Sequence, residues 1–307
     1  MPHYQMPDGE KLYVRTYGSG QPVLVLSGLG MQSWQWHPFL YRSRKQFEFI
    51  IPDWRGFGGS KQCQIPELDA IPSHWRDISS LMQQLNQPAL HVIAYSMGAT
   101  TAMHGMKYGQ FAQQIKSYLH IDQTPKISAD TEWPYGLFGN RHPEFIQILQ
   151  QISQVLQDNP TALYMNDLSQ QARNQLLHSW LAFIDLQASS KTAPFFIKAA
   201  LRQPKLQPHI LPIKRLDYLS WYISNYLQHT EDYRDAVAAL TCPATFFIGE
   251  QSKLYPAAGQ HIVAQSAVNA ESIVFHKSGH TPLLSEPVKF SQEIQRHLTR
   301  ISQLQSG

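Results

Sequence analysis

The amino-acid sequence predicts an α/β fold, in which a mostly parallel, doubly wound sheet is interrupted by a mainly helical insertion. Short apolar runs alternate with segments of helical periodicity up to about residue 122. The alternation then stops, and it resumes at about residue 241. Strands that alternate with helices favour a parallel sheet with helices on both faces. We therefore expect a core of residues 1–122 and 241–307 and a helical insertion of residues 123–240.

Short apolar or alternating runs, which suit strands of such a sheet, define the predicted strands. They are 11–17, 22–26, 47–51, 90–94, 115–121, 244–248 and 272–275. The predicted helices have apolar residues three and four positions apart. They are 33–45, 72–85, 97–107, 145–156, 173–186, 256–265 and 285–304. No buried strand is expected within the insertion.

The composition is that of an ordinary globular protein and argues against several classes of function. The formal net charge of +3 is spread along the chain without a basic run, which gives no support for nucleic-acid or anionic-membrane binding. No apolar stretch approaches the roughly 18 residues that span a bilayer, and the first residues lack a signal-peptide pattern. Cys63 and Cys242 lie far apart without CxxC spacing, which favours a reducing, cytoplasmic location and leaves one distant disulfide open.

Ser96 is the candidate nucleophile because it stands between a predicted strand and a predicted helix. A nucleophile on such a sharp turn needs small neighbours, and Ala94 and Gly98 supply them. The backbone N–H groups at the start of the helix at Met97 favour an oxyanion beside this serine. The alternative is an ordinary N-cap serine, since serine is a favoured helix cap. The strand before it and its small neighbours favour the nucleophile.

Four motifs occur in a specific order along the chain. They are Ser27-Gly28-Leu29-Gly30, Asp53-Trp54-Arg55-Gly56-Phe57-Gly58-Gly59-Ser60, the turn at Ser96, and Ser278-Gly279-His280. With this set the chain resembles the α/β-hydrolase superfamily over residues 8–122 and 241–300. The branch that it resembles contains capped esterases, C–C bond hydrolases, dehalogenases and epoxide hydrolases. The last two use an aspartate nucleophile, so Ser96 argues against both.

The resemblance implies roles for the other motifs. His280 would be the base that accepts the serine proton and returns it to the leaving group. The backbone N–H groups of Leu29 and Met97 would form the oxyanion hole. Many relatives have histidine at the position of Ser27, a difference that concerns support of the loop more than the donor. Asp53 and Arg55 are interpreted as structural residues beside the site.

The acid of the triad has two candidates. In most relatives it occupies the position that is Ser252 here, within a Gly-x-x-Asp-x-x-x-Pro pattern, and a serine cannot stabilise an imidazolium as a carboxylate does. Asp122 ends the preceding core strand, and some relatives place the acid there, so Asp122 is the preferred assignment. Glu250 is the alternative acid. A Ser-His dyad, or an acid at another position, also stays open.

The insertion supplies the expected substrate pocket, because this family places its cap between these strands. The candidates for the pocket wall are aromatic residues of the insertion: Trp133, Tyr135, Phe138, Trp180 and Trp221. No cluster of arginine and lysine suggests a phosphate or polyanionic substrate. We expect a small to medium, largely apolar acyl compound as the small-molecule partner.

The leading hypothesis for function is therefore a serine hydrolase of carboxylic esters, with thioesters, lactones or amides as close variants. C–C bond hydrolysis and acyl transfer use the same serine and histidine and stay open. A non-enzymatic binding protein on this scaffold is the alternative from a different class. The sequence has no metal-ligand cluster and no dinucleotide-binding glycine pattern, so neither a metal nor a cofactor is expected. The oligomeric state is left open.

Overall fold

Eight strands form one sheet in the computed structural model of the protein, which describes residues 2–187 and 192–304. Residues 188–191 of the predicted insertion and 305–307 of the predicted core lie outside the described residues. The strands are β1 His3–Gln5, β2 Lys11–Gly18, β3 Gln21–Leu26, β4 Phe47–Pro52, β5 Leu90–Tyr95, β6 Ile115–Ile121, β7 Ala244–Gly249 and β8 Ala270–Phe275. All seven predicted strands are confirmed, and only the short edge strand β1 was not predicted.

The order of the strands is β1-β2-β4-β3-β5-β6-β7-β8. Strands β3 to β8 are parallel to one another, whereas β2 is antiparallel to both β1 and β4. The predicted mostly parallel sheet is therefore confirmed. Its central strands β3, β5, β6 and β7 are almost fully buried, as expected for strands that are covered on both faces.

Eleven α-helices occur in the described part of the chain. They are α1 His37–Leu40, α2 Ala70–Leu85, α3 Met97–Tyr108, α4 His142–Gln157, α5 Gln170–Gln187, α6 Ala193–Arg202, α7 Leu216–Gln228, α8 Arg234–Ala238, α9 Ala257–Ser266, α10 Pro282–Ser285 and α11 Pro287–Leu304. Helices α4 to α8 lie between β6 and β7, so the chain leaves the sheet at residue 121 and returns at residue 244. Among the described residues of this segment no strand occurs beyond one isolated bridge between Lys126 and Asp232.

Two apolar layers cover the sheet, one on each face. One layer contains residues of α1 and α11, such as Leu40, Phe290 and Ile294. The other contains residues of α2, α3 and α9, such as Ile78 and Met103. Helices on both faces are the arrangement that the alternation of strands and helices predicts. The sheet is thus doubly wound, and the segment of α4 to α8 packs on the second layer.

The prediction of one continuous helix over residues 33–45 is wrong. The chain forms a 3₁₀ turn at Ser33–Trp36, then α1, then a second 3₁₀ turn at Tyr41–Ser43. Pro38 is at the start of α1 and has no N–H to donate to the preceding turn, so the helix restarts there. Trp36 and Leu40 still face the core, which explains the helical spacing of the apolar residues.

Two further expectations concern the membrane and the thiols. Within the described residues, no helix combines the length and the apolar character that crossing a membrane requires. Cys63 and Cys242 are both free, so they do not form the distant disulfide that the sequence left open.

Candidate active site

The carboxyl ends of neighbouring strands bring the predicted nucleophile and its preferred acid to one edge of the sheet. Tyr95 of β5 is paired with Ile121 of β6, so the residues that follow, Ser96 and Asp122, leave adjacent strands at the same level. The Ser96 N–H donates to the Ile121 carbonyl at 3.1 Å, and the Asp122 N–H donates to the Phe247 carbonyl of β7 at 2.9 Å.

Ser96 occupies a strained turn between β5 and α3. Its backbone has φ 52° and ψ −122°, a region that few non-glycine residues adopt. Gly98 is required there because a methyl group on its Cα would overlap the Leu26 carbonyl of β3. The Ser96 side chain makes no cap hydrogen bond to α3. The N-cap alternative therefore receives no support from the geometry.

A chain of hydrogen bonds joins the three residues predicted to form the triad. The Ser96 Oγ lies 3.0 Å from His280 Nε2, and His280 Nδ1 lies 2.7 Å from Asp122 Oδ2. A carboxylate only accepts hydrogen bonds, so Nδ1 carries the proton and the neutral ring leaves Nε2 free to accept from the serine hydroxyl. The Asp122 side chain is fully buried, and 9% of the His280 side chain is exposed.

The Asp122 carboxylate accepts three further hydrogen bonds from residues on β7, the loop after it and α9. Its Oδ1 accepts from the Gly249 N–H and from Gln260 Nε2, both at 3.0 Å, and its Oδ2 accepts from the Ser252 hydroxyl at 2.9 Å. Ser252 thus donates to the predicted acid, Asp122. The four donors, including His280, fix the carboxylate in one orientation.

Two tyrosines hold the His280 ring. The Tyr95 ring stacks on it with centroids 5.4 Å apart, and the Tyr255 ring meets it edge-on at 5.2 Å. The Tyr95 hydroxyl donates to the His280 carbonyl at 3.0 Å. Burial raises the pKa of Tyr95 and of Tyr255 far above the ordinary phenol range, so both remain uncharged donors.

Glu250, the alternative acid, is placed elsewhere. Its carboxylate lies 3.0 Å from Nδ1 of His276, and both side chains are more than half exposed. No hydrogen bond joins Glu250 to His280 in the part of the chain that the structure describes. Glu250 follows β7 directly and points to solvent, whereas the register of β5 and β6 places Asp122 at the histidine.

Of the two predicted oxyanion residues, one lines the cavity at Ser96 and the other directly follows Ser96 in the chain. Leu29 lines the cavity together with Ser96, and Met97 is the first residue of α3. Among the described residues, neither the Leu29 N–H nor the Met97 N–H donates a hydrogen bond to another group of the protein. The positive end of the α3 dipole would further stabilise a negative charge that develops near these two N–H groups.

The loops around the site are held by buried polar side chains. The Ser27 hydroxyl and carbonyl accept from the indole N–H groups of Trp36 and Trp54 at 3.0 and 2.7 Å. The Asp53 carboxylate accepts backbone N–H bonds from two loops, one of them from Ser33 at 2.6 Å. Arg55 is buried and forms an ion pair with Asp77, which raises its pKa and keeps it charged. The structural interpretation of Asp53 and Arg55 fits these contacts.

A cavity of about 370 Å³, hereafter the inner cavity, opens above Ser96 and His280. Phe138 and Trp180, two of the predicted wall residues, line it. Aromatic residues that the prediction omitted also line it, namely Phe145, Phe183, Tyr222, Tyr226 and Tyr255. None of its described lining residues is a lysine, arginine, aspartate or glutamate. The inner cavity therefore suits an uncharged, apolar group.

Trp133, Tyr135 and Trp221, the other predicted wall residues, are not among the described residues that line the inner cavity. The Trp133 indole N–H donates to Thr124 at 3.0 Å, and its ring packs against Tyr135. The Trp221 indole N–H donates to the Leu68 carbonyl at 3.0 Å. The Trp221 bond joins the helical segment to the core, whereas the Trp133 bond and the contact between Trp133 and Tyr135 lie within the segment itself.

Other chemistries find little support in the residues that the structure describes. No group of three histidine, cysteine or acidic side chains among them could hold a metal ion.

The helical segment after β6 and the eight-stranded sheet, with a serine on a strand-to-helix turn, define an α/β-hydrolase fold. A model of the alpha/beta hydrolase family matches residues 23–293, and the chain belongs to this family.

Curated relatives match nearly the whole chain at low identity. A pimeloyl-[acyl-carrier protein] methyl ester esterase of Pseudoalteromonas atlantica is 24% identical over 290 residues, which are 94% of this chain and 98% of the relative. A protein of the same name from Nitrosomonas europaea is 20% identical over 279 residues, which are 91% of this chain and 96% of the relative.

Among solved structures, an esterase of Exiguobacterium antarcticum is similar with a TM-score of 0.70 and 20% identity, covering 98% of each chain. A thermophilic esterase of Thermogutta terrifontis is similar with a TM-score of 0.71 and 17% identity, covering 98% of this chain and 99% of that one. At such identities these likenesses establish the fold.

Proposed function

We propose that this protein hydrolyses carboxylic esters through an acyl-enzyme on Ser96. The observation that carries the proposal is the hydrogen-bonded chain from the Ser96 hydroxyl through His280 to Asp122, which opens onto an apolar cavity. The names of the curated relatives, which are methyl ester esterases, support the same reaction. Residues 123–240 would act as the cap that covers the site.

In the first half of the reaction, Ser96 Oγ attacks the ester carbonyl carbon while His280 Nε2 takes the hydroxyl proton. The imidazolium is stabilised by Asp122, and the carbonyl oxygen becomes an oxyanion that the N–H groups of Leu29 and Met97 receive. The bond to the leaving alkoxide then breaks, and Nε2 returns the proton to it. The acyl group remains bonded to Ser96.

In the second half, water replaces the alcohol. His280 removes a proton from the water as its oxygen attacks the acyl carbon, and the second oxyanion occupies the same two donors. The Ser96–acyl bond breaks, and the proton on Nε2 passes to Ser96 Oγ. The products are the carboxylic acid and the regenerated enzyme, without an external cofactor.

The inner cavity favours an ester over the other reactions of this scaffold. A C–C bond hydrolase for dienoate-type substrates needs a residue that pairs with the substrate carboxylate, and the described wall of the inner cavity has no cationic lysine or arginine. A binding protein without catalysis would be favoured if no acid stood beside the histidine, but the Asp122 carboxylate lies 2.7 Å from His280 Nδ1. The inner cavity by itself therefore suits the uncharged acyl group of a small or medium acid.

Hydrolysis of p-nitrophenyl and methyl esters of acids from acetate to octanoate tests this function. We expect release of alcohol by the wild type and a loss of kcat/KM of at least about 10³-fold in Ser96→Ala, because the nucleophile is removed. A fluorophosphonate should label the wild type and leave Ser96→Ala unlabelled. Peptide mapping of the adduct identifies the labelled residue.

Thr101→Ala is a matched control, because it also removes a buried hydroxyl from α3, and this hydroxyl donates to the Met97 carbonyl instead of facing the cavity. This variant should be labelled and should keep most of the activity. Absence of both ester hydrolysis and labelling in the folded wild type would contradict the proposal.

A further inference from the structure

A second apolar pocket, hereafter the outer pocket, adjoins the inner cavity within the helical segment between β6 and β7. Its volume is about 520 Å³. Its walls come from α5, from α6 and from the chain that follows α6. The residues used below are Trp180, Ile184, Phe196, Leu206, Ile210 and Pro212. Nothing in the sequence predicted this pocket.

The two spaces share part of their walls. Trp180, Ile184 and Pro212 line both the inner cavity and the outer pocket. Trp180 and Ile184 lie one turn apart on α5, so a single stripe of that helix borders both spaces. A group that outgrows the space above Ser96 therefore meets an apolar surface at this stripe.

The described lining residues of the outer pocket include one histidine and no lysine, arginine, aspartate or glutamate. The pocket opens to solvent beside exposed apolar side chains. Phe196 is 61% exposed and Leu206 is 40% exposed, although both are large and apolar. Exposed apolar side chains that border a concave surface mark binding sites more often than isolated ones do. The lining residues match the chemistry of a hydrocarbon chain.

We propose that the outer pocket binds the distal part of a long acyl chain whose ester carbonyl lies at Ser96. This inference rests on the proposed ester hydrolysis and specifies its substrate as an ester of a fatty acid longer than the inner cavity alone would take. Each methylene that leaves water for an apolar site improves binding by about fourfold. Chain length should therefore raise kcat/KM beyond the medium-chain esters.

The chain-length profile of p-nitrophenyl butyrate, octanoate, dodecanoate and palmitate tests this inference, at concentrations below micelle formation. We expect kcat/KM of the wild type to be higher for dodecanoate and palmitate than for butyrate. Phe196→Glu places a charge at the outer pocket and should lower kcat/KM for the two long esters by about tenfold, while butyrate changes by less than about twofold.

Phe195→Glu is the matched control. Phe195 is the neighbouring residue of α6, is 71% exposed and does not line the outer pocket. Both variants carry the same new charge on the same helix, so a difference between them isolates the pocket. Ile210→Trp fills the outer pocket without adding a charge and should shorten the preferred chain in the same way.

Three results would overturn the inference. The first is a wild type that cleaves butyrate and loses activity with longer chains. The second is an equal effect of Phe195→Glu and Phe196→Glu on palmitate. The third is an Ile210→Trp profile identical to that of the wild type. If the wild type cleaves no ester of any length and the fluorophosphonate leaves Ser96 unlabelled, the proposed ester hydrolysis itself is contradicted. If short esters are cleaved and one of the three results above is found, only the role of the outer pocket is contradicted.

Discussion

At the scale of single residues, the orientation of one carboxylate governs the site. Asp122 Oδ2 faces His280 Nδ1 at 2.7 Å, and the other donors around this carboxylate come from the backbone and from uncharged side chains. The ring of His280 therefore has one charged partner among the described residues, although Glu250 stands one residue beyond β7.

Asp122→Asn should lower kcat/KM for p-nitrophenyl butyrate by about 10³- to 10⁴-fold. The amide cannot stabilise the imidazolium, and it favours the wrong tautomer of His280. Glu250→Gln should stay within about twofold, because its side chain contacts the exposed His276. Thermal unfolding of both variants checks that they are folded. Equal losses in the two variants would remove Asp122 from its assigned role.

Ser252→Asp should restore activity to the Asp122→Asn variant by at least about tenfold. The Ser252 hydroxyl lies 2.9 Å from Asp122 Oδ2, so a carboxylate on residue 252 reaches the region of His280 Nδ1. Ser252→Asn in the same background is the isosteric control without charge, and it should not restore activity. If both double variants are equally inactive, position 252 is too far from the ring to supply the acid.

The sequence identifies the residues of the site better than it identifies their neighbours. Ser96, Asp122 and His280 follow strands of one parallel sheet and were expected at the same edge, but this pattern alone left Glu250 open as the acid. The contact of Gln260 with Asp122 was not predicted. Gln260 lies three positions before Val263 and four before Ala264, so the helical spacing places it on the buried face of α9, where a polar side chain needs a partner. The direction in which an aromatic side chain of the insertion points depends on tertiary packing. The positions of Trp133 and Trp221 outside the inner cavity could therefore not be predicted from their spacing in the sequence.

At the scale of elements, the turn from β5 to α3 depends on close contact with β3. Gly98 has no side chain, and its Cα approaches the Leu26 carbonyl too closely for a methyl group. Strands β3 and β5 are paired from Val23 to Leu26, so the carbonyl is fixed by the ladder. The helix can shift only if the nucleophile shifts with it.

Gly98→Ala should therefore destabilise the protein by about 2 kcal/mol, through overpacking against a backbone atom that cannot move aside. It should also lower kcat, because Ser96 is two residues away. Urea unfolding measures the first effect. Gly279→Ala is the control, since the nearest atom to its added methyl group is a carbonyl oxygen 3.5 Å away. Equal stability of the two variants would mean that the turn tolerates a side chain.

Elements were predictable where local pattern and tertiary role agree. The central strands β3, β5, β6 and β7 are apolar runs because they are buried on both faces, which is a property of the run itself. The helix at 33–45 failed because Pro38 interrupts the hydrogen bonds without changing the apolar spacing. The short strand β1 has no apolar run and forms through its pairing with β2.

At the scale of the whole molecule, buried histidines make stability depend on pH. Burial lowers the pKa of His91 and of His120 to about 4 and that of His74 and of His297 to about 3. In the unfolded chain the same groups titrate near pH 6.5. Their contribution to stability is complete above about pH 6.5 and is lost as the pH falls towards these folded-state values, because the unfolded chain takes up protons first.

The free energy of unfolding should therefore fall between pH 7 and pH 5, by on the order of 1 kcal/mol for each of these histidines. Urea unfolding at the two pH values measures the difference. His297→Gln should reduce it, because glutamine can bond Thr245 without titrating. His276→Gln, at an exposed position, should leave it unchanged. A wild type that is equally stable at both pH values would contradict this account.

The interaction of Ser252 with Asp122 also bears on how such enzymes diverge. Two positions that follow neighbouring strands, 122 and 252, lie side by side near one imidazole nitrogen, and the hydroxyl at the second donates to the carboxylate at the first. A lineage can pass from one acid to the other through an ancestor that has both, without a generation that lacks catalysis.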